Sequence, residues 1–294
     1  MAKRISVRAP ARIDLAGGWT DVPNYCNIKS GEVVNIAINH YTKCVMNIDD
    51  ERKISLSYST DMPTGSGLGT SGCMNVSLIG TILGLDYQPE EIAELAYQFE
   101  ALLGNKGGRQ DQWASAVGGI SHLTFKGEEV EQRALNPSSE FTSWLEDRLL
   151  LFNSKITHVS GDLHNGIWQK FHQGDENIVG ALDELRDAGL AMARAIENES
   201  KDGVINSLKH VMNGVDSLGL EFHEPFRANI QPHVSSGDIV AWKAMGAGGG
   251  GVVGVLLSED SLRNKVIEDL QSKNWTHIEW KIDSIGLNRE EINL

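Results

Sequence analysis

A chain of 294 residues, 40% hydrophobic and 22% charged, can bury a sizeable core, and its length predicts two domains. Its net charge of −14, from 26 Lys and Arg against 40 Asp and Glu, argues against a general nucleic-acid binder and against a protein held on anionic membranes. Cys26, Cys44 and Cys73 form no C-x-x-C pair, no run nears the ~18 apolar residues of a membrane span, and Met1-Ala2-Lys3-Arg4 leads into no signal-like apolar stretch, so free thiols in a soluble, cytoplasmic protein are expected.

The chain starts β-rich. Arg4–Pro10 alternates as a strand does, and Arg12–Ala16 reads as a second short strand ended by Gly17-Gly18. Glu32–Ile38, Lys43–Ile48 and Ile54–Tyr58 follow as strands. Thr70–Leu83 is expected to be a helix with Met74, Leu78, Ile79, Ile82 and Leu83 on its apolar face. Pro89-Glu90-Glu91 opens another, with proline and acids in the first turn. Its apolar set is Ile92, Leu95, Phe99, Leu102 and Leu103, with Glu100 on the opposite side. Gly104 and Gly107-Gly108 end it; Gln110–Val117 reads as a short helix and Ile120–Phe125 as a strand. The polar, acidic stretch 126–147 carries Pro137 and marks the division between domains 1–146 and 147–294. A strand at Leu149–Asn153, amphipathic helices around Ile178–Ile196 and Ile205–Val215, a buried-type strand at Val252–Leu257, a helix at Ser261–Lys273 and a strand near Ile278–Ile282 complete the second half.

Four segments carry chemistry. Pro63-Thr64-Gly65-Ser66-Gly67-Leu68-Gly69-Thr70-Ser71-Gly72 runs three alternating glycines into a helix start. Glycines let a backbone approach an anion closely, the first N–H groups of the helix face it, and Thr70 and Ser71 place hydroxyls where a phosphate-bound Mg²⁺ takes oxygen ligands. The same stretch contains G-x-G-x-x-G at Gly67, Gly69 and Gly72, but without the preceding strand of a βαβ unit that a dinucleotide site requires. Glu100 and Asp111, with Arg109, Gln110 and Gln112 beside a glycine pair, form the second segment. Phosphoryl transfer uses such carboxylates to hold a cation and to accept a proton; taken singly each reads as an ordinary helix residue, and the polar group around them is what raises the functional reading. Gly246–Gly251, at the mouth of a strand, implies a backbone that approaches something closely. Arg8–Asp21 ends in Gly18-Trp19-Thr20-Asp21, a carboxylate for hydroxyls and an aromatic ring for a sugar face.

These segments, in this order, resemble the GHMP kinase superfamily over nearly the whole chain. The Ala16–Asp21 stretch and Gly108-Arg109-Gln110-Asp111-Gln112 resemble its sugar-kinase branch, which includes D-glycero-D-manno-heptose 7-phosphate kinase and L-fucokinase. The resemblance implies an α+β, two-domain fold: an N-terminal domain like domain 2 of ribosomal protein S5 and a ferredoxin-like C-terminal domain. It implies an ATP-dependent carbohydrate kinase acting on a small sugar or sugar phosphate, as monomer or homodimer. By that resemblance Pro63, Gly65, Ser66, Gly67, Leu68, Gly69, Thr70 and Ser71 bind ATP, and Ser71 and Glu100 ligate Mg²⁺. Asp111 is the catalytic base, and Arg12 acts near the transferred phosphate. Gly18, Trp19, Asp21, Arg109, Gly248 and Gly249 bind the substrate. Two departures stand out: 153–162 lacks the arginine of the branch's Thr-Gly-x-x-Arg element, and no Trp-rich element occurs around Met212–Asp216. Arg8, Arg12, Lys106 and Arg109 are the remaining candidates to grip a second phosphate. A mevalonate-pathway enzyme, a non-catalytic binding member and an NAD(P)-dependent enzyme are the rival readings.

Overall fold

The computed structural model describes residues 2–63, 65–83, 87–104, 107–156, 161–246 and 248–294. Strand β1 (Lys3–Ala16) is one long strand where the sequence reads two, with a register shift between Pro10 and Ala11. Proline has no N–H for a continuous ladder, so the pairing slips there without ending. After the short helix α1 (Pro23–Cys26), β2 (Gly31–Ile48) is likewise a single 18-residue strand. Strand β3 (Ile54–Thr60) pairs with the second half of β2 and is exposed along its length.

Helices α2 (Thr70–Ile82), α3 (Pro89–Leu102) and α4 (Gln110–Val117) follow at the expected places, but two of them bury unexpected faces. Helix α2 buries Gly72, Cys73, Val76, Ser77, Gly80 and Thr81, and leaves Met74 and Ile82 exposed. Small residues let the helix lie close to β1, where the Cys73 thiol reaches the Pro10 carbonyl at 3.0 Å. Helix α3 buries Ile92, Ala93, Ala96, Tyr97 and Glu100, whereas Leu95, Leu102 and Leu103 are exposed. Glu100 therefore ends the buried stripe, contrary to the expectation that it stands opposite.

Strand β4 (Ile120–Lys126) pairs with β5 (Glu129–Leu135), and α5 (Ser139–Arg148) begins at a Ser138 cap; both β5 and α5 lie in the stretch read as a polar boundary. The second half holds β6 (Leu149–Asn153), α6 (Gly161–His172), α7 (Glu176–Glu197), α8 (Lys201–Leu218), α9 (Glu224–Ser236), β7 (Ile239–Ala244), β8 (Val252–Leu257), α10 (Arg263–Ser272), β9 (Thr276–Ile278) and β10 (Asn288–Asn293). Four of these, α6, α9, β7 and β10, are not expected from the sequence. Pro232 lies inside α9, a buried lysine interrupts β7, and β10 is a polar strand at the sheet edge.

Two antiparallel sheets result. The first runs β10-β1-β2-β4-β5 with β3 also on β2, and the second runs β7-β8-β6-β9. The C-terminal strand thus returns to the first sheet beside β1. One core joins the halves: Ile13, Leu15 and Ile36 of the first sheet share a cluster with Leu182, Leu185 and Met192 of α7, Val211 of α8 and Leu256 of β8. Burial of these side chains, at roughly 1.5–3 kcal/mol each, fixes the angle between the halves and so the shape of the cleft. The three cysteines are unpaired and buried. Among the described residues, no helix is long and apolar enough to cross a membrane.

Candidate active site

The two glycine segments meet back to back. Gly65, Gly67 and Gly69 have φ of 67°, 75° and 76°, and Gly246, Gly248, Gly249 and Gly251 are also in the left-handed region. A side chain on Gly67 would overlap the Met245 carbonyl, and Val252 donates its N–H to the Ser66 carbonyl at 2.9 Å. What the second glycine run approaches is therefore the first. Thr64 and Ala247 lie outside the described residues.

Gly69, at +76°, caps α2, and no side chain caps the helix. Its first N–H donors stay open to an anion, with the helix dipole behind them. Within the loop, Ser66 Oγ bonds Thr70 Oγ1 at 3.2 Å and accepts from the Leu68 N–H. The Leu68 side chain points into the core. Toward the cavity the loop presents backbone and hydroxyls, while Leu68 anchors it to the core.

Asp111 sits in the first turn of α4, against the loop. A Cβ on Gly72 would collide with the Cβ of Asp111, so the close approach of α2 and α4 requires glycine here. Arg12, buried on β1, clasps Asp111 through Nε at 2.8 Å and a terminal nitrogen at 2.5 Å, and donates to the Gly67 carbonyl at 2.6 Å. Burial opposes the Arg12 charge, and Asp111 and Asp14 outweigh it, so its pKa is raised. Ser71 donates to Glu100 at 2.5 Å, and Gln112 donates to the other Glu100 oxygen.

These groups border a cavity of about 840 Å³ between the halves, lined from the first domain by Arg12, Trp19, Asp21, Ser71, Glu100 and Asp111, and from the second by α6 and Gly246. Trp19 has a φ of 80°, a strained conformation for a bulky residue that costs of order 1–3 kcal/mol. Its ring packs against His164 at 4.8 Å, Phe222 at 5.2 Å and Trp168 at 5.8 Å, contacts that hold it there. Asp21 is buried and accepts from the Gln110 N–H and side-chain amide at 3.0 and 3.1 Å. Burial pushes its carboxyl up to about 7, against the Gln110 N–H.

Trp19, Asp21, Ser71, Glu100 and Asp111 are thus brought together around one space. Four expected substrate residues are not. Arg109 stacks on the Tyr97 ring at 4.7 Å and donates to the Glu128 carbonyl, away from the cavity. Gly249 donates to the Phe222 carbonyl, while Gly18 and Gly248 border a small pocket behind Trp19. Lys106 and Thr157–Ser160, at the departure from the branch motif, lie outside the described residues.

Sequence reading missed α6, whose His164, Trp168 and His172 line the cavity at four-residue spacing, with Asn165 and Gln169 between them. That one-face periodicity of aromatic and polar residues was the available signal. It also missed Asp14 and Lys243, a buried pair 2.9 Å apart.

Residues 33–119 match the model of the GHMP kinases N terminal domain. The chain is 29% identical over 245 residues to the D-glycero-alpha-D-manno-heptose 7-phosphate kinase of Campylobacter jejuni, covering 66% of this chain and 72% of that protein. It is 24% identical to the bifunctional fucokinase/GDP-fucose pyrophosphorylase of Arabidopsis thaliana, covering 93% of this chain and about a third, 32%, of that longer protein. A crystal structure of a D-glycero-D-manno-heptose 1-phosphate kinase from Bacteroides thetaiotaomicron superposes with a TM-score of 0.79 at 19% identity, over 99% of this chain and 100% of that one. With the joined glycine segments and the two-domain α+β fold around them, these findings place a GHMP kinases N-terminal domain at residues 33–119 and make the rest of the chain similar in fold to the sugar kinases of that superfamily.

Proposed function

We propose that this protein transfers the γ-phosphoryl group of ATP to the anomeric hydroxyl of a sugar or sugar phosphate, of the heptose 7-phosphate or fucose type. The observation that carries the reading is the Asp111 carboxylate, clasped by Arg12 directly against the Gly67–Gly72 loop and open to a cavity of sugar size. The kinship with sugar kinases supports the acceptor class.

In this reading the amides of Gly65–Ser71 cradle the phosphates and neutralise charge growing on the departing ADP. The sugar oxygen attacks the γ-phosphorus, the bond to the ADP oxygen breaks, and the hydroxyl proton passes to Asp111. Arg12 orients Asp111 and lies beside the transferred group. Ser71 and Glu100 offer oxygen donors only, and Glu100 is already oriented by Ser71 and Gln112, a set that suits Mg²⁺ completed by phosphates and water. Bound there, Mg²⁺ supplies charge neutralisation between the phosphates. Trp19 and Asp21 face the sugar. The reading is of a cytoplasmic enzyme, monomer or homodimer, with domains 1–146 and 147–294, the last strand of the second crossing back to the first domain's sheet.

The test is ADP release with ATP and Mg²⁺ across free aldoses, sugar phosphates and mevalonate. Turnover of an aldose or its phosphate is expected. Preference for mevalonate would move the acceptor to the mevalonate-type alternative, and ATP binding without turnover would leave a non-catalytic member.

A further inference from the structure

We propose that Lys243 is a positioning residue for phosphoryl transfer: it neutralises Asp14 and so leaves the Arg12 guanidinium committed to Asp111. The inference rests on the kinase reading of Arg12 and Asp111.

Arg12 and Asp14 are two residues apart on β1 and so share a face of the strand. Asp14 acts electrostatically on Arg12, as Asp111 does. The guanidinium bonds Asp111 and also feels the charge of Asp14; Asp111, 28% exposed, is the better solvated of the two, while the Asp14 side chain is 3% exposed. Left alone, a buried carboxylate draws the nearest cation, because charges attract most strongly where water is excluded.

Lys243 prevents that from the other domain. It sits on β7, buried, and donates to Asp14 Oδ2 at 2.9 Å and to the Asp14 carbonyl at 2.7 Å. The chain beyond β7 continues to Met245, whose carbonyl lies against Gly67, and Gly67 in turn accepts from Arg12. The second domain thus reaches Arg12 by two routes, through Asp14 and through the phosphate loop. Burying an ammonium costs several kcal/mol unless it is paired. An apolar residue would fill this part of β7 at less cost, which a catalytic duty for the charge accounts for.

The experiment compares wild type, Lys243→Met and the charge-neutral double variant Asp14→Asn/Lys243→Met. Lys243→Met is expected to lower kcat on the order of 10²-fold, the scale of a small misplacement at a reacting centre, with KM for ATP and sugar nearly unchanged. The double variant should regain most of that loss. Wild-type kcat in Lys243→Met, or equal impairment of the two variants, would overturn the proposal. If Lys243→Met does not fold, Lys243→Gln keeps a donor toward Asp14 without the charge and reads the same kcat. A second readout needs no turnover: the Arg12 Nε–H resonance, assigned by its loss in Arg12→Lys, should shift in Lys243→Met and return in the double variant. If no acceptor is phosphorylated by wild type, the kinase reading fails, and the resonance alone still decides whether Lys243 positions Arg12; an unmoved resonance rejects it.

Discussion

The first-domain wall of the cavity carries Arg12, Ser71, Glu100 and Asp111, each tied to a neighbour by hydrogen bonds that arrange charge before any ligand arrives. The second-domain wall carries His164, Asn165, Trp168, Gln169 and His172 on one helix, packed by ring contacts onto Trp19. One wall is a fixed array of charges set on a glycine loop; the other is an aromatic and amide surface with no carboxylate among these residues. The difference separates duties. Preorganised charge lowers the barrier of a reaction, whereas flat rings and neutral hydrogen-bonding groups recognise a polyhydroxylated molecule.

Breaking the charged wall should cost turnover. Asp111→Asn is expected to reduce kcat by roughly 10²–10⁴-fold, the range for loss of general-base catalysis, with nucleotide binding retained. Near-wild-type kcat would remove Asp111 from the chemistry and return it to an ordinary helix N-terminal acid.

Burial beside the charged wall also has a cost in stability, and Asp21 reports it. Burial, which disfavours the anion, pushes its carboxyl up to about 7 from the ordinary 3.8. Between about pH 4 and pH 7 the folded chain holds a proton at Asp21 that the unfolded chain has released. Stability from this group is therefore full at low pH and falls as pH rises through the folded value, by about 1.4 kcal/mol per unit and up to about 4 kcal/mol in all. Asp21→Asn should flatten that limb of the melting-temperature profile between pH 4 and 7. An unchanged slope would show that Asp21 stays ionised when buried.

Ser71→Ala sharpens the comparison at the metal-facing edge. The hydroxyl holds one Glu100 oxygen, and its loss should weaken apparent Mg²⁺ affinity roughly 10-fold or more, as for other groups that orient a metal ligand. The Mg²⁺ dependence of turnover measures it; an identical titration would exclude Ser71 and Glu100 as the cation's holders.

The two walls also differ in how far the sequence revealed them. The charged wall was legible because its chemistry is local: glycines at alternate positions, a helix start and acids beside a glycine pair all lie within short windows. The orientation of Glu100 was not, since leucines at 95, 102 and 103 suggest the wrong face, and only packing shows that small residues and Tyr97 turn inward. Arg109 matched a motif position, yet its guanidinium found an aromatic ring and a carbonyl behind the cavity. Lys243 and Asp14 are 229 residues apart, and no local pattern connects them. The return of β10 to β1 is equally nonlocal, a polar edge strand accepted by a sheet that begins near residue 3.

Trp168→Ala tests the recognition wall alone. Trp168 lies on α6 with its ring 5.8 Å from Trp19, half of an aromatic pair that faces the cavity. Its loss removes a flat apolar face from the cavity wall and loosens Trp19, so the variant should raise the KM for the sugar by roughly three- to tenfold, the scale of about one aromatic contact. Because its ring contacts are to Trp19 and Phe171, while Asp111 and the phosphate loop are held by Arg12, kcat and the KM for ATP should hold, the pattern of lost uniform binding. Sugar is expected to quench tryptophan fluorescence in the wild type, and the titration should show correspondingly weaker affinity in the variant. A fall in kcat at constant sugar KM would mean that α6 takes part in aligning the reacting hydroxyl, and the division of duties between the two walls would no longer hold.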